Sequence, residues 1–290
     1  MLERIYFNTD DQVELVGLLE RPKQKTDRVV ISIHGMQSNC LKKREDILSK
    51  KIAESGTAYF AFNNRGAEVL TYIKKTTGEK ELNGGVIYED VLDSYYDIKA
   101  AIDKMTELGF SEIYLQGHSL GCTKIIYTYN KLRNTKTLEN VKGIMLLSLV
   151  DILGCQVYDL GEQKYKEMLE YANQKEKQKQ LRELMPAESF EHPISVGAYL
   201  RYFKYNKEIN FARFGDEEYT FPEINNIKIP LFLRWGNNHD LVIQNMDDLI
   251  KMLKTKIKNS KLDIGYIEGA DHGYTGKEEA LAKEIIKFIG

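Results

Sequence analysis

The segment Gly117-His118-Ser119-Leu120-Gly121 constrains this chain more than any other. It follows a short apolar run, Glu112-Ile113-Tyr114-Leu115-Gln116. It precedes a stretch in which Ile125, Tyr129 and Leu132 recur at helical spacing. A G-x-S-x-G motif between a strand and a helix is the context of a nucleophile elbow. The serine is held in a strained turn, and the flanking glycines admit backbone where a side chain would collide.

The elements around this motif alternate. Val29-Val30-Ile31-Ser32-Ile33 reads as a strand buried on both faces of a parallel sheet, and Thr57 to Phe62 reads the same way. A polar stretch, Ala67 to Gly85, leads to a helix carrying Val91, Tyr95, Ile98, Ile102 and Met105 on one face. Further strands are expected at Ile113–Gln116, Gly143–Val150, Ile229–Trp235 and Leu262–Ile267. Leu281, Ile285 and Phe288 mark a closing amphipathic helix, and Ile5–Asn8 with Val13–Glu20 form an N-terminal hairpin around Asp10-Asp11. Strands alternating with helices predict an α/β fold with a mostly parallel sheet.

Residues 151–228 break the rhythm, because a parallel crossover needs only about a dozen residues. The excess is expected to form a helical insertion, with residues 1–150 and 229–290 as the core. Tyr165, Met168, Leu169 and Ala172 have helical spacing, and a second helix is expected over Val196–Tyr205. The charge run Lys175–Lys179 reads as a solvated helix face. The aromatic residues between Tyr199 and Phe221 either line a pocket or form the insertion's own small core, and the sequence does not choose.

Composition narrows the class. Of 290 residues, 42% are hydrophobic and 29% charged, which suffices for a packed core. A net charge of −2 gives no electrostatic pull toward nucleic acid or an anionic membrane. No apolar run approaches the roughly 20 residues of a membrane span. The opening Met1-Leu2-Glu3-Arg4-Ile5-Tyr6-Phe7 lacks the basic-then-apolar pattern expected of a secretory signal. The three cysteines, Cys40, Cys122 and Cys155, show no metal or disulfide spacing. They suit a reducing compartment, so a cytoplasmic protein is expected.

A serine hydroxyl becomes nucleophilic only beside an oriented base. Of the five histidines, His272 lies just past the last expected strand, in Gly269-Ala270-Asp271-His272-Gly273. His34 ends an early strand, His118 sits inside the elbow and points away from its serine, and His192 and His239 lie elsewhere in loops. The acid is Asp240, after the penultimate strand, or Asp151, after the preceding one. Asp271 is disfavoured because adjacent side chains on an extended segment diverge. Ser119, Asp240, His272 is the chain order expected for this arrangement. The oxyanion would be met by the backbone N–H groups of Leu120 and of Met36, in the His34-Gly35-Met36 loop. This acyl transfer needs neither metal nor organic cofactor.

These residues together resemble the α/β-hydrolase superfamily, specifically its serine esterases with a cap inserted after the sixth strand. The resemblance rests on the His34-Gly35 loop, the Asn64-Arg65-Gly66 turn, the Gly117–Gly121 elbow, the Gly236–Asp240 loop and the Asp271-His272 loop. The opening third is similar to feruloyl esterases, and the long insertion resembles a branch that includes siderophore-ester hydrolases. The resemblance implies an eight-stranded sheet with helices on both faces, a Ser-Asp-His triad and an acyl-enzyme formed on a small-molecule ester. Three departures stand out. Asn63-Asn64-Arg65-Gly66-Ala67-Glu68 lacks the usual second glycine, the acid loop is one residue longer, and Cys122 replaces a smaller residue as buried packing. The same triad would serve a thioesterase or an acyltransferase, and a catalytically silent, ligand-binding relative is the third reading.

Overall fold

The apolar runs form the middle of one sheet. The computed structural model describes residues 1–78 and 82–290. Strands β1 (Leu2–Asn8) and β2 (Val13–Glu20) form the antiparallel N-terminal hairpin. β3 (Arg28–Ile33) and β4 (Ala58–Asn63) follow, then β5 (Thr71–Lys75) and β6 (Leu82–Gly84). β7 (Glu112–His118), β8 (Val141–Leu147), β9 (Leu231–Gly236) and β10 (Leu262–Ile267) complete the set. The order across the sheet is β10-β9-β8-β7-β3-β4-β2-β5-β6, with β1 on β2. β3, β4 and β7 to β10 run parallel, and β2 is antiparallel to β4.

Among the described residues the sheet has ten strands rather than the eight expected. The additional pair, β5 and β6, lies in the 67–85 stretch that reads only as polar, of which residues 79–81 fall outside the described residues. β5 is short, buries Ile73 and leaves Tyr72 exposed, so it carries little apolar signal.

Strand alternation sends side chains to two separate layers. Val29, Ile31 and Ile33 of β3 and Phe60 and Phe62 of β4 face one layer, while Val30, Tyr59 and Ala61 face the other. The first layer is covered by α2 (Ser94–Glu107), through Ile98, Ile102 and Met105, and by α3 (Leu120–Leu132). The second is covered by α1 (Lys43–Glu54), through Leu48 and Ile52. Each such fully buried side chain contributes about 1.5–3 kcal/mol.

Between β8 and β9 lie α4 (Ile152–Leu160), α5 (Glu162–Lys177), α6 (Val196–Phe203) and the short α7 (Pro222–Asn225). Two more helices, α8 (Met246–Lys256) and α9 (Glu278–Ile289), follow β9 and β10; α8 covers the first layer and α9, through Leu281 and Ile285, the second. Met168 and Ala172 of α5 pack with Val196, Tyr199 and Phe203 of α6 in a third cluster, which Leu120 joins. The aromatic residues of this region are mainly core. Tyr199 and Tyr202 are buried in the third cluster, and Phe211, Phe214 and Phe221 join the main core, where Phe214 meets Trp235 edge-on. Within the 175–179 run, Lys175 pairs with Glu183 on the surface.

A buried polar tie crosses from α3 to α6. Lys124 of α3 lies 2.5 Å from Glu89, and the same carboxylate accepts from Tyr202 Oη of α6. Lys124 also donates to Asn64 Oδ1 at 3.0 Å. This carboxylate occupies the space over Gly66 that a Cβ would fill, which accounts for a glycine in the 63–68 turn. Arg65 in that turn pairs with Asp97 and Asp11, each at 2.8 Å.

Candidate active site

The candidate residues arrive on loops at the C-terminal ends of the parallel strands, where a sheet of this kind gathers its functional groups. Ser119 follows β7 directly. Its backbone is at φ 54°, ψ −124°, a costly conformation for a residue with a side chain, and it opens α3. Ser119 N–H donates to Leu147 O at 2.9 Å, which anchors the turn to the end of β8. The turn closes only because the flanking positions are glycines. A Cβ on Gly117 would meet the backbone of Gly121 at 2.6 Å, and one on Gly121 would meet Ile33 O at 2.2 Å.

Asp240, on the loop after β9, and His272, on the loop after β10, meet directly. His272 Nδ1 donates to Asp240 Oδ1 at 2.6 Å, with the carboxylate almost wholly buried. The other carboxylate oxygen accepts from Ser148 Oγ and from Gly236 N–H, each at 2.7 Å. Leu241 N–H adds a fourth donor at 2.8 Å. This saturation holds the carboxylate in one orientation, so the imidazole it accepts from has one too.

The two other acids do different work. Asp151 accepts from Gly154 N–H and caps α4. Asp271 accepts from Thr275 N–H inside its own loop. Neither forms a hydrogen bond with His272 among the described residues.

Ser119 and His272 line one cavity of about 830 Å³ together with Met36, Leu120, Ile152 and Phe203. The serine hydroxyl makes no hydrogen bond to His272 among the described residues. Leu120 N–H opens a helix and has no acceptor within it. Met36 N–H also donates to no acceptor among the described residues. Gly35 packs so tightly on the serine that a Cβ there would stand 2.8 Å from Ser119 Cβ and 2.9 Å from His118 O.

Two of the remaining histidines are buried and bonded to backbone. His34 is buried, donates from Nδ1 to Gly35 O at 2.8 Å, and accepts from Asn64 N–H at Nε2. Burial, with Lys124 nearby, pushes its pKa down to about 3. His118 donates from Nε2 to the carbonyl of His272 at 2.7 Å, and its ring lies 4.9 Å from the His272 ring. Burial and the Arg44 charge hold its pKa well below the usual range, so it is a neutral prop for the histidine loop. His192 lies beside Glu191, and His239 has a left-handed backbone on the acid loop.

Cys122 is fully buried, its Sγ within 3.3 Å of Gly117 O and 3.2 Å of Leu147 O, and burial raises its pKa. A thiol held protonated this way is inert packing. Ser148 and Tyr274 carry no sequence signal. Tyr274 Oη donates to Arg234 O at 2.8 Å and lies 3.1 Å from Ser148 Oγ, placing the serine beneath Asp240. Ser148 follows β8 directly, at φ 51°, so strain in the two serines that follow strands marks the same site.

A family model described as "Protein of unknown function (DUF1749)" matches residues 88–289. The chain belongs to this family. The chain has the α/β-hydrolase fold, as three solved structures show. Est1E from Butyrivibrio proteoclasticus, with ferulic acid bound, has a TM-score of 0.65 at 14% identity, covering 98% of this chain and 97% of that one. The esterase Pf2001 of Pyrococcus furiosus has 0.61 at 17%, covering 100% and 90%. The α/β hydrolase GrgF from Penicillium sp. sh18 has 0.67 at 12%, covering 100% and 98%. No curated protein matches the chain in sequence. Among its described residues no helix is long and apolar enough to cross a membrane, and no group of three or more His, Cys, Asp or Glu side chains is arranged to hold a metal ion.

Proposed function

We propose that this protein is a serine hydrolase that cleaves a carboxylic ester of a small molecule through an acyl-enzyme. The observation that carries the reading is the His272–Asp240 hydrogen bond of 2.6 Å beside a strained Ser119 on the same cavity. In this mechanism His272 Nε2 takes the proton of Ser119 Oγ as the oxygen attacks the ester carbonyl. Asp240 fixes the tautomer that leaves Nε2 free to accept, and it stabilises the imidazolium that forms. The tetrahedral oxyanion is met by the N–H groups of Met36 and Leu120, each worth about 3 kcal/mol of transition-state stabilisation. His272 then protonates the leaving alcohol, and water repeats the sequence on the acyl-enzyme.

Residues 151–228 act in this reading as a cap over a core formed by 1–150 and 229–290. Leu120 packs in the cap's cluster, so the elbow and the cap share a wall. The presence of an esterase among structures of the same fold supports ester hydrolysis.

The test is an active-site fluorophosphonate followed by peptide mass mapping, run beside hydrolysis of short acyl p-nitrophenyl esters. Labelling of Ser119 is expected, and Ser119→Ala abolishes both labelling and turnover. A folded protein that takes no label at Ser119 overturns the proposal.

A further inference from the structure

Glu278, the first residue of α9, is 5% exposed and lines the same cavity. Its carboxylate takes part in no hydrogen bond or ion pair among the described residues. Its carboxylate oxygens are not fully shut off from solvent, so the small exposure of this residue leaves a carboxylate able to meet what enters the cavity. The start of α9 favours negative charge nearby, yet none of its N–H groups bonds this carboxylate. The next residue, Glu279, turns outward to Lys51.

The other charged groups on the cavity wall do not answer Glu278. Glu188 is held by Lys164, Glu191 lies against His192, and Arg44 is committed to Glu45. Lys42, Lys43 and Asp159 are exposed and form no ion pair among the described residues. Glu278 is thus the largely buried acid on this wall with no protein partner among the described residues.

Its place in the chain indicates which part of a ligand it meets. His272, Gly273, Thr275 and Glu278 line the cavity in succession. A leaving alcohol takes its proton from His272, so the alcohol side of an ester lies against this succession. Leu120, Val150, Ile152, Leu160 and Phe203 supply apolar wall for the acyl side.

We propose that Glu278 receives a protonated amine carried on the alcohol part of the substrate, so that the site takes esters of amino alcohols with an apolar acyl group. The proposal rests on the serine-hydrolase reading. The reaction balances as for any ester. Ser119 Oγ bonds to the acyl carbon and its proton passes to His272. The acyl C–O bond breaks as the amino alcohol takes that proton, and water releases the acid. The ammonium keeps its charge throughout and serves as a handle.

The experiment compares 2-(dimethylamino)ethyl hexanoate, protonated at pH 7, with its neutral isostere 3-methylbutyl hexanoate. The purified full-length protein is expected to prefer the cationic ester by about ten-fold or more in kcat/KM, the effect of one charge-assisted contact. In Glu278→Gln the ratio of the two kcat/KM values is expected to fall to near one. Equal rates on the two esters in the unsubstituted protein overturn the proposal, as does a preference that survives Glu278→Gln. If Ser119 is labelled and the neutral ester is cleaved while the preference is missing, this inference alone fails. If Ser119 takes no label and neither ester is cleaved, the hydrolase reading fails and takes this one with it.

Discussion

Lys124 and Glu89 form an ion pair of 2.5 Å in which both side chains are shut off from solvent. Tyr202 closes the pair from the other side, so helix α3, which carries the elbow serine at its start, is tied to α6 through charges that water cannot screen. Removing one partner strands the other. Lys124→Met is expected to lower stability by about 3–5 kcal/mol, the cost of an unpaired buried charge. The double variant Lys124→Met, Glu89→Gln is expected to recover part of that loss. Urea denaturation of the four proteins in a double-mutant cycle reads the interaction, and strictly additive losses would refute it.

The hydroxyl of Ser148 donates to Asp240 and makes no contact with the cavity. Ser148→Ala leaves Asp240 with Gly236 and Leu241 as backbone donors, so the carboxylate loses part of its orientation. A drop of about ten-fold in kcat with KM little changed is expected, as for the loss of a group that orients a site residue from behind. Steady-state kinetics on one ester decide it, and a change confined to KM would speak against the role.

Asp240 and Asp151 are both acids placed after strands, and their substitutions should separate cleanly. Asp240→Asn is expected to lower kcat by roughly 10³–10⁴-fold because the wrong tautomer of His272 is then favoured. Asp151→Ala is expected to cost about 1 kcal/mol of stability through loss of the α4 cap, with little effect on kcat. Thermal melts and kinetics on both variants provide the check. The reverse pattern would move the acid to Asp151.

Gly35 leaves no room for a methyl group beside Ser119. Gly35→Ala is expected to push the loop carrying Met36 away from the serine, costing about 1–3 kcal/mol of stability. Loss of the Met36 donor position should lower kcat by about 10²-fold or more. Normal kcat in a folded Gly35→Ala protein would remove Met36 from the oxyanion site.

The two buried neutral histidines give stability a defined pH dependence. Their folded pKa values lie below the unfolded value near 6.5, reaching about 3 for His34. Below about pH 6.5 the unfolded chain therefore binds more protons than the folded one. Stability is full above that pH and falls as the pH drops toward the folded values, by up to about 1.4 kcal/mol per pH unit for each histidine. Urea midpoints at pH 7.5, 6.5, 5.5 and 4.5 should decline along this course. His34→Gln should show a shallower decline, and an unchanged slope would exclude His34 as a source.

Much of the fold is written locally. Continuous β-branched runs such as Val29–Ile33 make a strand buried on both faces, and a G-x-S-x-G after such a run makes the elbow, because backbone sterics act over a few residues. The β5–β6 hairpin is not legible in this way. Its residues are mostly polar, and it persists because β2 offers it an edge from elsewhere in the chain. Similarly, helices α1 and α8 carry mixed surfaces whose apolar stripe becomes evident only against the sheet they cover.

The sequence by itself determined the class of fold, the strained serine and the short list of histidines and acids that could serve it. These follow from local sterics and from the period of apolar residues. Only the tertiary structure decided that Asp240 rather than Asp151 meets His272, that Ser148 and Tyr274 stand behind that acid, and that Glu278 lines the cavity with no partner among the described residues. Such choices depend on distances between loops far apart in sequence, and those distances exist only once the sheet has brought the strand ends together.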